Sequence, residues 1–117
     1  MHDFKKLRVW QLARDLAIAV DRASRTFPRS DRGIVASQLR RAMISVPANI
    51  AEGCGKSSRK ETLRYFQIAA GSATEVENHL LLAEGFGYLT GPARLELMEA
   101  LNSIQRMLFK LMKNLPQ

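Results

Sequence analysis

Three clusters of helix-breaking residues cut this 117-residue chain into four long pieces, and that spacing limits its fold more than any other feature. Phe27-Pro28-Arg29-Ser30-Asp31 is the first break, Gly53-Cys54-Gly55-Lys56-Ser57-Ser58 the second, and Gly85-Phe86-Gly87 through Gly91-Pro92 the third. The segments between them are about 20 to 28 residues long and carry apolar residues at helical spacing. Alternating β-branched runs of strand length are missing, so strands have no obvious home. Four helices of roughly 30 Å on short connections predict one all-α domain over residues 1–117. The simplest arrangement is an antiparallel up-down-up-down four-helix bundle.

Each segment supplies a core-facing stripe and its own boundary signals. In the first, Val9, Leu12, Ala13, Leu16, Val20, Ala23 and Phe27 fall on one arc, with Arg14, Arg22, Arg25 and Ile18 opposite. The second is expected to start from Ser30 or Asp31 as N-cap, with Val35, Leu39, Met43, Val46 and Ile50 as its stripe. Pro47 lies inside it, removes the bond to the Met43 carbonyl and is expected to kink or restart the helix. Gly53 or Gly55 is the expected stop. Ser58-Arg59-Lys60-Glu61 is a capping box that opens the third segment, whose core arc is Phe66, Ala69, Ala70, Ala73, Val76 and Leu80. The small side chains of Ala69-Ala70-Gly71-Ser72-Ala73 invite the close approach of another backbone. Thr90 with Pro92 starts the fourth segment.

In that fourth segment Leu97, Leu101, Ile104, Leu108, Leu111 and Leu115 form a heptad seam of left-handed helix packing. Met98, Met107, Phe109 and Met112 widen the apolar surface beyond what one bundle core needs. A deeply buried helix explains that width, and so does a second surface used for self-association. A homo-oligomer is therefore part of the expectation.

Charge narrows the partners. Lys and Arg number 18 against 11 Asp and Glu, a net charge of +7 with a pI near 10.2. Thirteen basic and 5 acidic residues fall in 1–60, but 5 basic and 6 acidic in 61–117. Such asymmetry points to a polyanion, either nucleic acid or an acidic protein surface. The cations group as Lys5, Lys6 and Arg8; as Arg22, Arg25, Arg29 and Arg32; and as Lys56, Arg59, Lys60 and Arg64. Arg14, Arg22, Arg25, Arg29, Arg32, Lys56, Arg59 and Lys60 are the candidate contacts to a phosphate backbone, against the plainer reading of a solvated basic surface. No aromatic-interleaved RNA motif appears and several aromatics occupy core arcs, so base stacking is not expected. Binding should be electrostatic, with little sequence preference.

Chemistry finds little foothold. Gly55-Lys56-Ser57 resembles the end of a phosphate-binding loop, but Ile50 stands where that loop needs glycine and a helix, not a strand, precedes it. Cys54, the sole cysteine, excludes an internal disulfide and has no evident histidine base beside it. His2 and His79 are far apart and give no zinc spacing. Glu75 and Glu77 face different ways on a helix, which makes them poor candidates for a paired acid and base. The expectation is a protein without enzymatic activity, cofactor, metal or small-molecule substrate. No apolar run approaches the ~18 residues of a membrane span and no signal-peptide core is evident, so the expected address is the cytoplasm.

One polar stripe stands out. Gln38, Arg41, Ser45, Asn49 and Glu52 recur at spacings of 3, 4, 4 and 3 along one side of the second helix. A solvated face is one reading. Because Ser45, Ala48 and Asn49 are short, a hydrogen-bonded network within the bundle or between subunits is favoured, with Arg41 and Glu52 as charged members. Asn49 and Glu52 are the members expected to reach Ser72 or Glu75 on the third helix.

The stretches Phe27-Pro28, Gln38-Leu39-Arg40-Arg41-Ala42, Ser45-Val46-Pro47-Ala48-Asn49-Ile50-Ala51-Glu52-Gly53 and Ile68-Ala69-Ala70-Gly71-Ser72, followed by Glu75, together resemble a known family. It is the family of four-helix bundles that includes the 23S rRNA intervening-sequence proteins, encoded within bacterial large-subunit ribosomal RNA genes. The likeness runs in order from about Phe4 to Leu89. It implies a homopentameric barrel of bundles, in which Arg41, Ser45, Asn49, Glu52, Ser72 and Glu75 serve packing and assembly. A related branch, the accessory variability proteins of diversity-generating retroelements, binds nucleic acid and a reverse transcriptase through a basic surface. The expected function is electrostatic binding of RNA or DNA. Its rival is an adaptor whose basic face meets an acidic protein such as a reverse transcriptase or another nucleic-acid enzyme.

Overall fold

Helix α1 spans Arg8–Ser24, α2 Ile34–Cys54, α3 Arg59–Gly85 and α4 Gly91–Lys113. Short 3-10 turns at Phe4–Lys6 and Arg29–Asp31 precede α1 and α2, and no strand occurs among the described residues. The computed structural model describes residues 3–116, so His2 lies outside them. The helices pack in a ring: α1 on α2, α2 on α3, α3 on α4, and α4 back on α1. This four-helix bundle measures 48 × 23 × 20 Å. No helix among the described residues is long and apolar enough to cross a membrane.

The core is the set of stripes legible in the sequence, trimmed at their edges. Val9, Ala13, Leu16 and Val20 of α1, Leu39, Met43, Val46 and Ile50 of α2, and Phe66, Ala69, Ala73, Val76 and Leu80 of α3 are all buried. On α4, Leu101, Ile104 and Leu108 are sealed and Met98 nearly so, as is Leu115 just past the helix end. Leu97, Met107, Leu111 and Met112 pack partly against the same core. Most of the broad α4 stripe is thus used inside one subunit. Phe109, 68% exposed, and Leu95, 49% exposed, are what remains.

Capping follows the expected residues with one displacement. Ser58 Oγ accepts from the Glu61 amide at 3.1 Å, and Thr90 Oγ1 from the Ala93 amide at 3.2 Å, at the starts of α3 and α4. At α2 the chain instead turns through left-handed Arg32 (φ 53°) and Gly33 (φ 74°) and enters the helix at Ile34. Asp31 still does the capping chemistry from before the turn. Its buried carboxylate accepts from the Val35 and Ala36 amides, each at 3.1 Å.

Packing settles two further expectations. Helix α2 runs through Pro47 without a restart, because buried Leu39, Met43, Val46 and Ile50 hold both sides of the missing bond in one packed stripe. Gly53 is not the stop. It lies inside α2, and Gly55 takes the C-cap with ordinary right-handed angles. A Cβ on Gly53 would sit 2.8 Å from Phe66 Cε1 and 2.9 Å from Phe66 Cδ1, so the missing side chain is space that the Phe66 ring needs. Gly71, by contrast, meets nothing within 4 Å.

These geometries give opposite outcomes for one kind of substitution. Gly53→Ala gains about 1 kcal/mol of helix propensity but overpacks a buried ring by about 1–3 kcal/mol, so thermal unfolding should show a lower Tm. Gly71→Ala keeps the propensity gain without the clash and should raise Tm. Asp31→Ala leaves two α2 amides without their acceptor and should cost about 1–2 kcal/mol in denaturant unfolding.

Candidate nucleic-acid interface

The polar stripe of α2 faces α3 and forms a network within the bundle. Ser45 Oγ lies 2.8 Å from Ser72 Oγ, and Asn49 Nδ2 donates to Ser45 Oγ at 2.9 Å and to the Ser45 carbonyl at 2.8 Å. Asn49 thus reaches Ser72 through Ser45. Further along, Arg41 donates to Gln38 Oε1 at 2.9 Å and pairs with Glu75 Oε2 at 3.8 Å. Glu75 Oε2 also meets His79 Nε2 at 3.2 Å, and the His79 side chain is only 15% exposed. Glu52 stands apart from this network: it is exposed and pairs with Lys56 at 3.3 Å, one turn on. The hydrogen bond from Lys56 to Glu52, and the nearby Tyr65, raise the lysine's pKa.

The cations divide between two ends of the molecule. Ring contact between Phe27 and Tyr88, centroids 5.3 Å apart, brings the α1–α2 and α3–α4 connections together. Arg22, Arg25, Arg29 and Arg32 belong to that end. Arg59 Nε donates to the Leu115 carbonyl at 3.5 Å, which brings the α2–α3 connection to the chain's C-terminal segment. Lys56, Arg59 and Lys60 belong to this other end. Helix α2, 21 residues long, separates the two groups by about 30 Å. They do not form one patch.

Nor are all eight predicted cations available. Arg14 pairs with Asp15 at 3.0 Å and lies over the Trp10 ring, Arg25 pairs with Asp21 at 3.0 Å, and Lys56 is held by Glu52. Arg22, Arg29, Arg32, Arg59 and Lys60 make no ion pair among the described residues, and all but Arg59 are exposed. Lys110 and Lys113, in the last turn of α4, add exposed cations at the Arg59 end. The near-neutral sum over residues 61–117 hides them. Their position is also where any helix favours cations, so nothing in sequence marks them as part of a cluster.

Cys54 sits at the end of α2 as expected, but it is 1% exposed, and burial raises its thiol pKa. A glycine-rich helix end suggests access. Here Thr62 Oγ1 donates to the Gly53 carbonyl at 3.0 Å and closes the corner over the thiol's neighbourhood. A buried thiol of raised pKa is a poor nucleophile. Among the described residues no group of three or more His, Cys, Asp or Glu is arranged to hold a metal.

The fold has a solved counterpart. The crystal structure of a protein of unknown function from the S23 ribosomal protein family of Bacteroides thetaiotaomicron superposes with a TM-score of 0.83. The superposition covers 91% of this chain and 99% of that one, at 22% identity, and so is a likeness of fold. No curated protein matches the chain. The family model for the 23S rRNA-intervening sequence protein, however, matches residues 5–110, nearly the whole bundle, and the chain belongs to that family.

Proposed function

We propose that this chain is a non-enzymatic, oligomeric four-helix bundle that binds RNA or DNA through the cations at its ends. The observation that carries this reading is the set Arg22, Arg29 and Arg32. They stand exposed around one connection with no ion pair among the described residues, while most carboxylates near them are engaged. Long cations that no internal carboxylate neutralises are what a phosphate backbone exchanges its counterions for. An up-down-up-down path accords with the pairings Ser24–Arg40, Arg41–Glu75, Ser45–Ser72, Glu77–Gln105 and Glu84–Arg94, whose numbers rise on one helix as they fall on the next. A cytoplasmic, reducing setting suits a sole buried cysteine.

Self-association is supported by apolar surface that the subunit leaves open. Ile18 and Ile44, 47% and 61% exposed, face one groove between α1 and α2, and Phe109 projects from α4. The family resemblance suggests a pentamer. The same surface favours a second reading, in which the protein is an adaptor for an acidic protein partner and the arginines steer that encounter.

Two measurements separate these readings. Binding to unrelated RNA and DNA should weaken linearly in log Kd against log salt. Arg29→Gln with Arg32→Gln should flatten that slope by about 0.7 per residue on single strands. Absence of binding even at about 50 mM salt would remove the nucleic-acid reading and leave the adaptor. Light scattering should report an assembly of several subunits; a monomer at high concentration would overturn the oligomer.

A further inference from the structure

The end that carries the unpaired arginines also carries a stack of aromatic rings, assembled from residues about sixty positions apart. Phe27 packs on Tyr88 with centroids 5.3 Å apart and planes inclined by 42°. Tyr88 packs in turn on Phe86 at 5.6 Å and 31°. Phe27 and Tyr88 rest partly against the core. Phe86 does not: it is 59% exposed and forms the outer ring of the stack.

Phe86 is held out by a stiff turn. It follows α3 directly, its amide donates to the Leu82 carbonyl at 2.8 Å, and the Gly87 amide donates to the Glu84 carbonyl at 2.9 Å. Gly87 adopts φ 80°, and the Tyr88 and Leu89 amides fold back onto the Ala83 carbonyl at 2.8 and 3.3 Å. A segment with its amides engaged in this way loses little entropy when a ligand settles on it. The contact with Tyr88 uses only part of the ring, and the rest of Phe86 stays open to water.

Electrostatics at this end of the bundle are one-sided. Asp31 is committed to the α2 amides, Asp21 to Arg25, and Glu84 to Arg94 at 2.6 Å. That leaves Arg22, Arg29 and Arg32 uncompensated, all three within five residues of Phe27. An exposed aromatic ring at the same end of the bundle as free guanidinium groups is the chemistry of single-stranded nucleic acid recognition. Bases stack on the ring, cations follow the phosphates, and sequence matters little because every base has a π face. A duplex offers such a ring no exposed base face except at its ends.

We propose that Phe86 is a base-stacking platform, supported by Tyr88 and Phe27, by which this end of the bundle prefers unpaired nucleotides to duplex. The inference rests on the nucleic-acid reading above and gives it a substrate class. It departs from the expectation of no base stacking, which rested on the lack of an aromatic-interleaved motif and on several aromatics occupying core arcs. The stack exists only once the two connections meet.

The test uses the intact protein and short oligonucleotides: single-stranded RNA, single-stranded DNA, the same strands with abasic sites, and a duplex. Abasic strands keep the phosphates and remove the stacking partner. Wild-type protein should bind the normal single strands about 5- to 100-fold tighter than the abasic ones. Phe86→Ala should erase that gap without changing the salt slope, and Phe86→Trp should keep it. If Phe86→Ala preserves the gap, or wild type shows none, the platform is overturned while electrostatic binding stands. If wild type binds no oligonucleotide at low salt, both readings fall together. Circular dichroism and light scattering on Phe86→Ala should match wild type; a smaller assembly would make the ring a subunit contact and overturn the proposal.

Discussion

The close approach of α2 and α3 sets the frame on which the rest of this bundle is laid. Two serine hydroxyls from facing helices, Ser45 and Ser72, touch at 2.8 Å, and the backbone of Gly53 lies directly against the Phe66 ring. Only residues without bulk allow two helices to come so near. Asn49 then satisfies Ser45 from one turn away, so the polar contact is closed without a buried charge that would need a counterion. Four residues, Gly55 to Ser58, join the two helices, and Thr62 locks the corner. The other interfaces are looser. Between α1 and α4 a groove stays open over Leu12, Leu16, Ala19, Leu97 and Ala100.

Much of this was legible in the sequence because it is local. Apolar spacing over 20 or more residues states which face of a helix is inside, and the core follows it almost residue by residue. Capping pairs such as Ser58 with Glu61 and Thr90 with Ala93 lie three positions apart and are read directly. What sequence left open falls where a residue's role depends on a neighbour from another segment. It offers Gly53 or Gly55 as the stop, and only Phe66 beside Gly53 says why that glycine stays inside the helix. Pro47 reads as a kink or a restart until both flanks are seen to share one buried stripe, and the helix does not restart.

The interface shows the same division more sharply. Counting charges along the chain gives a strongly basic first half, and the three groups of cations in it are real. Counting does not reveal that Asp15, Asp21 and Glu52 each remove one candidate from service. Nor does it reveal that the remaining ones sit at opposite ends. Ser72 and Glu75 do meet the α2 stripe, but through Ser45 and Arg41 rather than through the expected Asn49 and Glu52, because one turn of a helix decides which side chain reaches across. Nothing comparable links Phe27 to Phe86 and Tyr88.

Distance decides what such a surface can do. At about 30 Å apart, the two cationic ends span roughly nine phosphates of a strand at duplex rise. On the proposed reading, a shorter oligonucleotide engages one end at a time and gains nothing from the other. A longer one meets both, and the second contact then forms at the high effective concentration that the first imposes. The two ends are also chemically unlike. The Arg29 end pairs arginines with an open aromatic ring, whereas at the Arg59 end Lys56 is drawn over the Tyr65 ring and onto Glu52. A tyrosine face already covered by an internal cation is not free to take a base. On the proposed reading, single-strand preference therefore belongs to one end of the bundle, and the other contributes charge. If subunits assemble, this polarity is repeated with every copy, and the orientation of the subunits decides whether a strand meets rings, charges or both in alternation.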